Sequence, residues 1–373
     1  MAAETTTANH DLRKRIFAVD LLRGVVMMIM LLDHVRDFVH AGALQSDPTD
    51  PATTSVPVFF TRWITHFCAP IFVFLSGVSI YLQKANGKTN RDLSWFLLTR
   101  GLWLVFLEFT LIRFLIVFNL DYSFFAMAQV IWVIGVSMII MAGLIYLPVK
   151  AVGTAGVALI VLHNLLDRVQ VPPNIAFAGQ PPPDVWQSLW LILHQPGIVP
   201  LPGGGLFLAY PLIPWVGVMM AGYAIGTLYQ WDSQRRRRLM LVLGITAIAL
   251  FFVLRTTNLY GDPGTFRTKA AFQAREAERR ADAEPTNDPP GEGAREPSIA
   301  EPAFTIVSLL NTQKYPPSLL FLLMTLGPAF LILAFTDSIG GSSLWQQICI
   351  TFGRVPMFFY ILQWVVAHGA GVL

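Results

Sequence analysis

Charge is scarce in this sequence. Only 13% of its 373 residues are charged, against about 25% in ordinary soluble domains. The net charge of +3 sits in short loops, so it reads as topology signal and excludes a nucleic-acid-binding surface. Cysteine is scarcer still. Cys68 and Cys349 are the only two, and the topology below puts them toward opposite membrane faces, so no disulfide is expected. No HxxxH or HExxH spacing is present, and Asp33, His34, Asp37 and His163 do not share a metal-ligand pattern, so no metal is expected. A serine nucleophile has no support either: Ser76 sits in an apolar run without a base at a motif spacing. No internal repeat stands out, which weighs against an inverted-repeat transporter.

What is present is apolar. Hydrophobic residues make up 54% of the chain, in continuous runs near the roughly 20 residues that cross a bilayer. Alternation of the β-barrel kind is missing. The expected fold class is therefore all-α: a polytopic helical membrane bundle of about nine spans (range 8–11) plus a short interfacial helix. The spans read as 16–40, 57–83, 94–118, 127–147, 150–167, 206–229, 238–256, 316–336 and 345–371, with the interfacial helix over 184–195. Residues 1–15 read as a disordered tail, 16–373 as one transmembrane domain, and 261–302 as a flexible extracytoplasmic insertion rich in charge, Pro and Gly. Arg13–Arg15, Lys84, Lys88, Arg91, Lys150 and Arg235–Arg238 fall on one side, whereas loops 41–56 and 119–126 hold no Lys or Arg. The positive-inside rule then makes the N-terminus cytoplasmic.

One span breaks the apolar rule. The stretch 15–40 carries Asp20, Arg23, Asp33, His34, Arg36 and Asp37, and each central Asp or Arg costs about 2.5–3.5 kcal/mol to insert. Such groups must face the bundle interior or a wet cavity, and they default to a functional reading. Arg23 and His34 are eleven residues apart, close to three turns, so they share one helix face about 16 Å apart along the axis. Other polar clusters gather at the same outer face as His34: TRWITHFCAP (61–70), HNLLD (163–167), YPLIPW (210–215), NLYGDP (258–263) and NTQKYPP (311–317). They nominate an acceptor-side set of Arg36, His163, Asp167, Tyr210, Trp215, Lys314 and Tyr315. The simpler readings stand beside this one. Asp20–Arg23 and Asp33–Arg36 neutralise each other, lone histidines pack, and Tyr210 and Trp215 belong to an interfacial belt.

These residues resemble a known group. RIFAVDLLRGVVMMIMLLDHVRDF is similar to the opening of the transmembrane acyltransferase superfamily, which includes the heparan-α-glucosaminide N-acetyltransferase-like domains and the acyltransferase-3 proteins. Arg23 and His34 match the R-x10-H signature of the latter. HNLLD, YPLIPWVGVM, NLYGDP, NTQKYPPSLLFLLMTLGP and FGRVPMFFYILQ resemble the bacterial branch related to the heparan enzyme, except that Gln363 stands where that branch carries His. The resemblance implies an enzyme of the bacterial inner membrane. It would move an acyl group, acetyl by analogy, from acyl-CoA as co-substrate to an amine or hydroxyl of a glycan or amino-sugar acceptor. Arg23 with Asp20 would bind the CoA arm. His34 would act as general base or transient acyl carrier, Asp33 or Asp37 would orient it, and Lys314 and Tyr315 would hold acceptor or oxyanion. No permanent cofactor is implied, and a homo-oligomer is compatible. The competing reading is a proton-coupled transporter with Asp33, His34 and Asp37 as relay.

Overall fold

The computed structural model describes residues 2–39, 47–51, 53–121, 126–172, 183–201, 204–262, 267–274, 299–337 and 343–372. In chain order the helices are α1 (Ala2–Val39), α2 (Val56–Thr65), α3 (Cys68–Ala85), α4 (Asn90–Leu107), α5 (Arg113–Val117), α6 (Val130–Leu144), α7 (Val149–Leu162), α8 (Val185–Leu193), α9 (Leu212–Ile225), α10 (Ser233–Thr257), α11 (Glu301–Leu310), α12 (Leu319–Thr336), α13 (Leu344–Arg354) and α14 (Pro356–Val372). The strands are β1 (Ala126–Ala128), β2 (Gly197–Leu201) and β3 (Gly204–Leu208). The backbone of the expected N-terminal tail is helical from Ala2. Most of the expected insertion, 263–266 and 275–298, lies outside the described residues.

Among the described residues, five helical segments are long and apolar enough to cross a membrane: Val56–Ala85, Val149–Arg168, Leu212–Gln230, Ser233–Thr257 and Leu319–Thr336. α13 and α14 make a sixth only if their bent pair is one span. The other expected spans exist as helices of different character. α1 carries the charges already noted, and α6 has only 15 residues. The expected span 94–118 is α4, a π-helical turn over Glu108–Ile112, and α5, stopped by Phe118 in the left-handed conformation (φ 46°).

Four apolar stretches depart from the straight spans expected of them. The stretch 345–371 bends by 93° between α13 and α14. Val355 sits there at φ −119°, ψ 47°, out of the helical region that the following Pro356 disfavours. The stretch 57–83 breaks at His66–Phe67, just ahead of Pro70, which cannot donate the hydrogen bond a continuous helix needs. Finally, 126–128 and 204–208 are strands rather than the first turns of α6 and α9. They form a small sheet of order β1-β3-β2, with β1 parallel and β2 antiparallel to β3. β3 opens on Gly204-Gly205, and Pro211 follows it. A strand ladder satisfies backbone groups that helix formation there would leave to Gly and Pro, which are poor at it.

The core trio is α3, α9 and α12, each mostly buried, while α7 and α10 present broad apolar faces outward. Those faces include Val157, Val161, Val242 and Ile245, as lipid contact requires. α3 packs on α9, α9 on α7, α4 on α6, α10 on α12, and α1 on both α13 and α14. Of the arginine run Arg235–Arg238, Arg236 turns inward to a buried pair with Asp337 at the end of α12 (Nη2–Oδ2 2.5 Å). The expected interfacial helix is α8, started by a capping box between Asp184 and Gln187.

The α1–α13 contact is backbone-close. A Cβ on Gly24 would lie 1.7 Å from the Cys349 carbonyl oxygen, and one on Gly353 1.9 Å from the Asp20 carbonyl oxygen. This approach brings the Gly353 carbonyl to 3.3 Å from Arg23 Nη1. Overpacking a core usually costs about 1–3 kcal/mol, and here the obstacle is backbone. Gly24→Ala is therefore expected to lower the melting temperature in detergent clearly. Gly143→Ala, with open space around it, is expected to leave it unchanged.

Candidate active site

Two cavities lie end to end along α1. The outer one, about 460 Å³, is lined on the α1 side by Met30, Asp33, His34 and Asp37. α2 and α3 contribute Arg62, Thr65, Cys68 and Phe72, and α14 contributes Tyr360 and Trp364. The small sheet covers it with Met127 and Phe207, which are register partners in the β1–β3 pair. Tyr210, Lys314 and Tyr315 complete it. The inner one, about 400 Å³, is lined by Arg23, Ser76, Ser79, Arg100 and Arg354, among apolar groups. Met30, Phe72, Val130 and Tyr360 line both, so the cavities share a wall rather than a solid layer of core.

His34 stands in the outer cavity, close to that wall. The residue is buried, and its Nδ1 has no hydrogen-bond partner among the described residues. Its ring is held by stacking on Trp364 (centroids 3.8 Å apart, planes at 23°) and by the edge of Tyr360 at 6.0 Å. The carboxylates do not orient it. Asp33 accepts from Arg62 Nη1 at 2.6 and 2.8 Å, from Arg36 Nη2 at 2.6 Å and from Thr65 Oγ1 at 2.9 Å. Asp37 accepts from the same Arg36 Nη2 at 2.8 Å. Asp33 thus ties α1 to α2, while Asp37 stays paired within α1.

Lys314 is the remaining cation of this cavity. It is buried, with no ion pair among the described residues, and its Nζ lies 5.2 Å from the Tyr315 ring. Burial alone would push the Tyr315 phenol up. The Lys314 ammonium and Arg62 guanidinium outweigh it, and the phenol is held below its usual value. The Tyr315 ring meets that of Tyr210 edge-on at 5.4 Å. Behind this site, the buried Glu108 carboxylate on the π-helical turn accepts from the backbone N–H groups of Gln129 and Trp132, both at 3.1 Å. It caps the start of α6 and so fixes Gln129 and Val130 in the cavity wall.

In the inner cavity Arg23 donates to Asp20 Oδ1 at 3.0 Å, Ser79 Oγ at 2.9 Å and the Gly353 carbonyl. Arg354 reaches Asp20 Oδ2 at 3.6 Å. With Arg100, three guanidinium groups border one pocket, a setting that suits a ligand bearing phosphates.

The family model described as heparan-alpha-glucosaminide N-acetyltransferase, catalytic, matches residues 15–257, well over half of the chain. The chain belongs to this family. Membership makes it a transferase of the acetyltransferase kind, and the apolar helices make it a multi-pass membrane protein. A comparison with curated proteins finds no match. Of the site residues, Arg23 and His34 lie within the heparan-alpha-glucosaminide N-acetyltransferase match. Lys314, Tyr315, Tyr360 and Trp364 lie beyond it and reach the same cavity through the fold.

The residues nominated from sequence in this family member divide clearly. Asp33, His34, Asp37, Tyr210, Lys314 and Tyr315 come together around the outer cavity, and Arg23 lines the inner one. Asp20 braces Arg23 from outside the lining. Arg36 lies behind Asp33 and Asp37 and lines neither cavity. His163 is a packing residue, its Nε2 2.9 Å from the Pro317 carbonyl oxygen and its Nδ1 against those of Leu159 and Ile160. Trp215 is wholly buried core. Asp167 lines a third cavity beside the outer one, with His194. Sequence reasoning did not single out Arg62, Trp364, Tyr360, Arg100, Arg354 or His194. Arg62 offered a signal: a cation one residue before Trp63 in an otherwise apolar segment.

Proposed function

We propose that the chain transfers an acetyl group from acetyl-CoA, bound in the inner cavity, to an amine or hydroxyl of a sugar held in the outer cavity. The observation that carries this reading is the pair of cavities that share a wall beside His34, one bordered by arginines and the other by an imidazole whose Nδ1 has no hydrogen-bond partner among the described residues. Arg23, Arg100 and Arg354 hold the anionic donor, and the acyl end of the pantetheine arm points toward Met30 and Tyr360. His34 takes the proton as the acceptor nitrogen or oxygen attacks the thioester carbonyl, and returns it to the departing CoA sulfur. Around the outer cavity Arg36, Arg62 and Lys314 outnumber Asp33 and Asp37, and the surplus cation is Lys314. It stabilises the negative charge that builds on the carbonyl oxygen. Asp33 and Asp37 act through Arg62 and Arg36, as positioning residues. Trp364 orients the imidazole by stacking, the part a carboxylate plays in a triad.

In the bilayer the chain has nine spans, counting α1, α4–α5, α6 and the bent α13–α14 with the five apolar segments. Its N-terminus is in the cytoplasm of a bacterial cell, so donor and acceptor sit on opposite sides of the inner membrane. Purified protein in nanodiscs, given acetyl-CoA and a panel of amino sugars and neutral sugars, is expected to release free thiol only when an acceptor is present. Arg23→Ala is expected to raise the KM for acetyl-CoA about tenfold while acting less on the KM for the acceptor. No thiol release with any acceptor would sink the reading.

A further inference from the structure

A third cavity, of about 370 Å³, opens beside the outer one, and Pro196 and Tyr315 line both. Its polar lining is unlike that of its neighbour. Asp167, Gln170, His194, Gln195 and Gln313 supply it, and no Lys or Arg lines it among the described residues. Asp167 accepts from His194 Nε2 at 2.8 Å and from Asn164 Nδ2 at 2.8 Å. His194 is itself buried, with no partner for its Nδ1 among the described residues. Asp262, at the back, is neutralised by the buried Arg255 (2.8 Å).

We propose that this cavity is a second acceptor subsite, taking the sugar unit next to the one acylated, and that it takes an uncharged polyhydroxylated ring rather than a sulfated one. The proposal rests on the acyl-transfer reading for the placement of the reacting sugar. Amide and carboxylate groups in one pocket offer donors and acceptors together, the pattern that vicinal hydroxyls can satisfy. Tyr315 at the shared mouth gives the sugar an aromatic wall on which to turn from one cavity to the next. A sulfate would meet the Asp167 carboxylate with no lining cation to offset the repulsion and the lost hydration, which is how a site rejects a ligand. The cations Arg62 and Lys314 line the outer cavity and not this one.

The test uses the full chain in nanodiscs with three acceptors: glucosamine, a disaccharide with glucosamine at the non-reducing end of a neutral hexose, and that disaccharide sulfated on the hexose. Thiol release gives kcat/KM for each. Saturation-transfer NMR without acetyl-CoA reads binding independently of turnover. The neutral disaccharide is expected to exceed glucosamine about tenfold in kcat/KM, through KM, and to bind correspondingly tighter. The sulfated one should gain nothing. Gln170 and Gln313 are exposed, so the double variant Gln170→Ala/Gln313→Ala should fold. It should bring the disaccharide-to-glucosamine ratio toward one in both measurements. A neutral disaccharide that gains nothing, a sulfated one that gains as much, or a double variant that keeps the gain would each overturn the subsite. If no acceptor is acetylated yet the double variant still abolishes the NMR gain, the subsite stands and the acyl-transfer reading falls.

Discussion

His34→Ala is expected to lower the kcat of acetyl transfer by about 10²–10⁴-fold, the usual worth of a positioned general base. The loss should be in the chemical step. His34 lines the outer cavity while Arg23 of the inner one lies about three helical turns away, so the KM for acetyl-CoA should move little. Fold damage should be slight. Among the described residues the ring makes no hydrogen bond that holds the bundle, and its stack on Trp364 is worth about 0.5–1.5 kcal/mol beyond buried area. The vacated space adjoins a cavity of about 460 Å³, so added imidazole should restore part of the rate. Purely structural damage would not be rescued that way. Trp364→Leu gives the complementary result. It should reduce kcat, because the imidazole loses its stacking partner, and leave the KM for acetyl-CoA unchanged.

Asp33→Ala is expected to be the most destabilising change at the outer site. Asp33 is bound by Arg36, Arg62 and Thr65 and stands near Lys314. Its removal leaves Arg62 without its carboxylate and Arg36 with Asp37 alone. Breaking a buried pair by removing one partner costs about 3–5 kcal/mol, because a charge is left uncompensated. The melting temperature in detergent should fall steeply. Arg62→Ala should fall less, since Asp33 keeps Arg36 and Thr65. The double variant Asp33→Ala/Arg62→Ala should be more stable than the sum of the single losses implies, because only one unpaired charge remains to be added. Strict additivity would mean that the contact does not couple the two residues.

How far these roles were legible in the sequence differs from residue to residue. The apolar runs announced a helical membrane protein because hydropathy over 18 or more residues is a local property. The six ionisable groups of α1 announced the site because their insertion cost has to be offset by something nearby. Periodicity alone placed Arg23 and His34 on one face. The bend at Val355, by contrast, depends on Pro356 acting inside an apolar run whose hydropathy is continuous. The strands β1 and β3 pair across about 80 residues, which no local pattern encodes. The resemblance makes Asp33 or Asp37 the group that orients His34. Adjacent helical residues point about 100° apart, and Asp33 turns instead to Arg62 and Arg36. Trp364, over 300 residues away, takes the place next to the imidazole. Gln363, where a histidine was expected by resemblance, is buried with neither amide atom partnered among the described residues, and it lines neither cavity. Its identity therefore bears on packing within α14 rather than on the reacting groups. The sequence nominates His163 on the acceptor side beside the simpler reading of a packing histidine, and the carbonyl groups around it mark it as the latter.

The most direct measurement puts donor and acceptor on opposite sides of a sealed membrane. Proteoliposomes of uniform orientation receive radiolabelled acetyl-CoA on the side of the Arg23 cavity and glucosamine on the side of the His34 cavity. Label is expected on the glucosamine in its own compartment, with free CoA accumulating on the donor side and acetyl-CoA itself not crossing. His34→Ala, inserted and folded, should reduce the transfer at least a hundredfold. Transfer at the wild-type rate by His34→Ala, or passage of glucosamine unlabelled in the presence of acetyl-CoA, would contradict acyl transfer through His34.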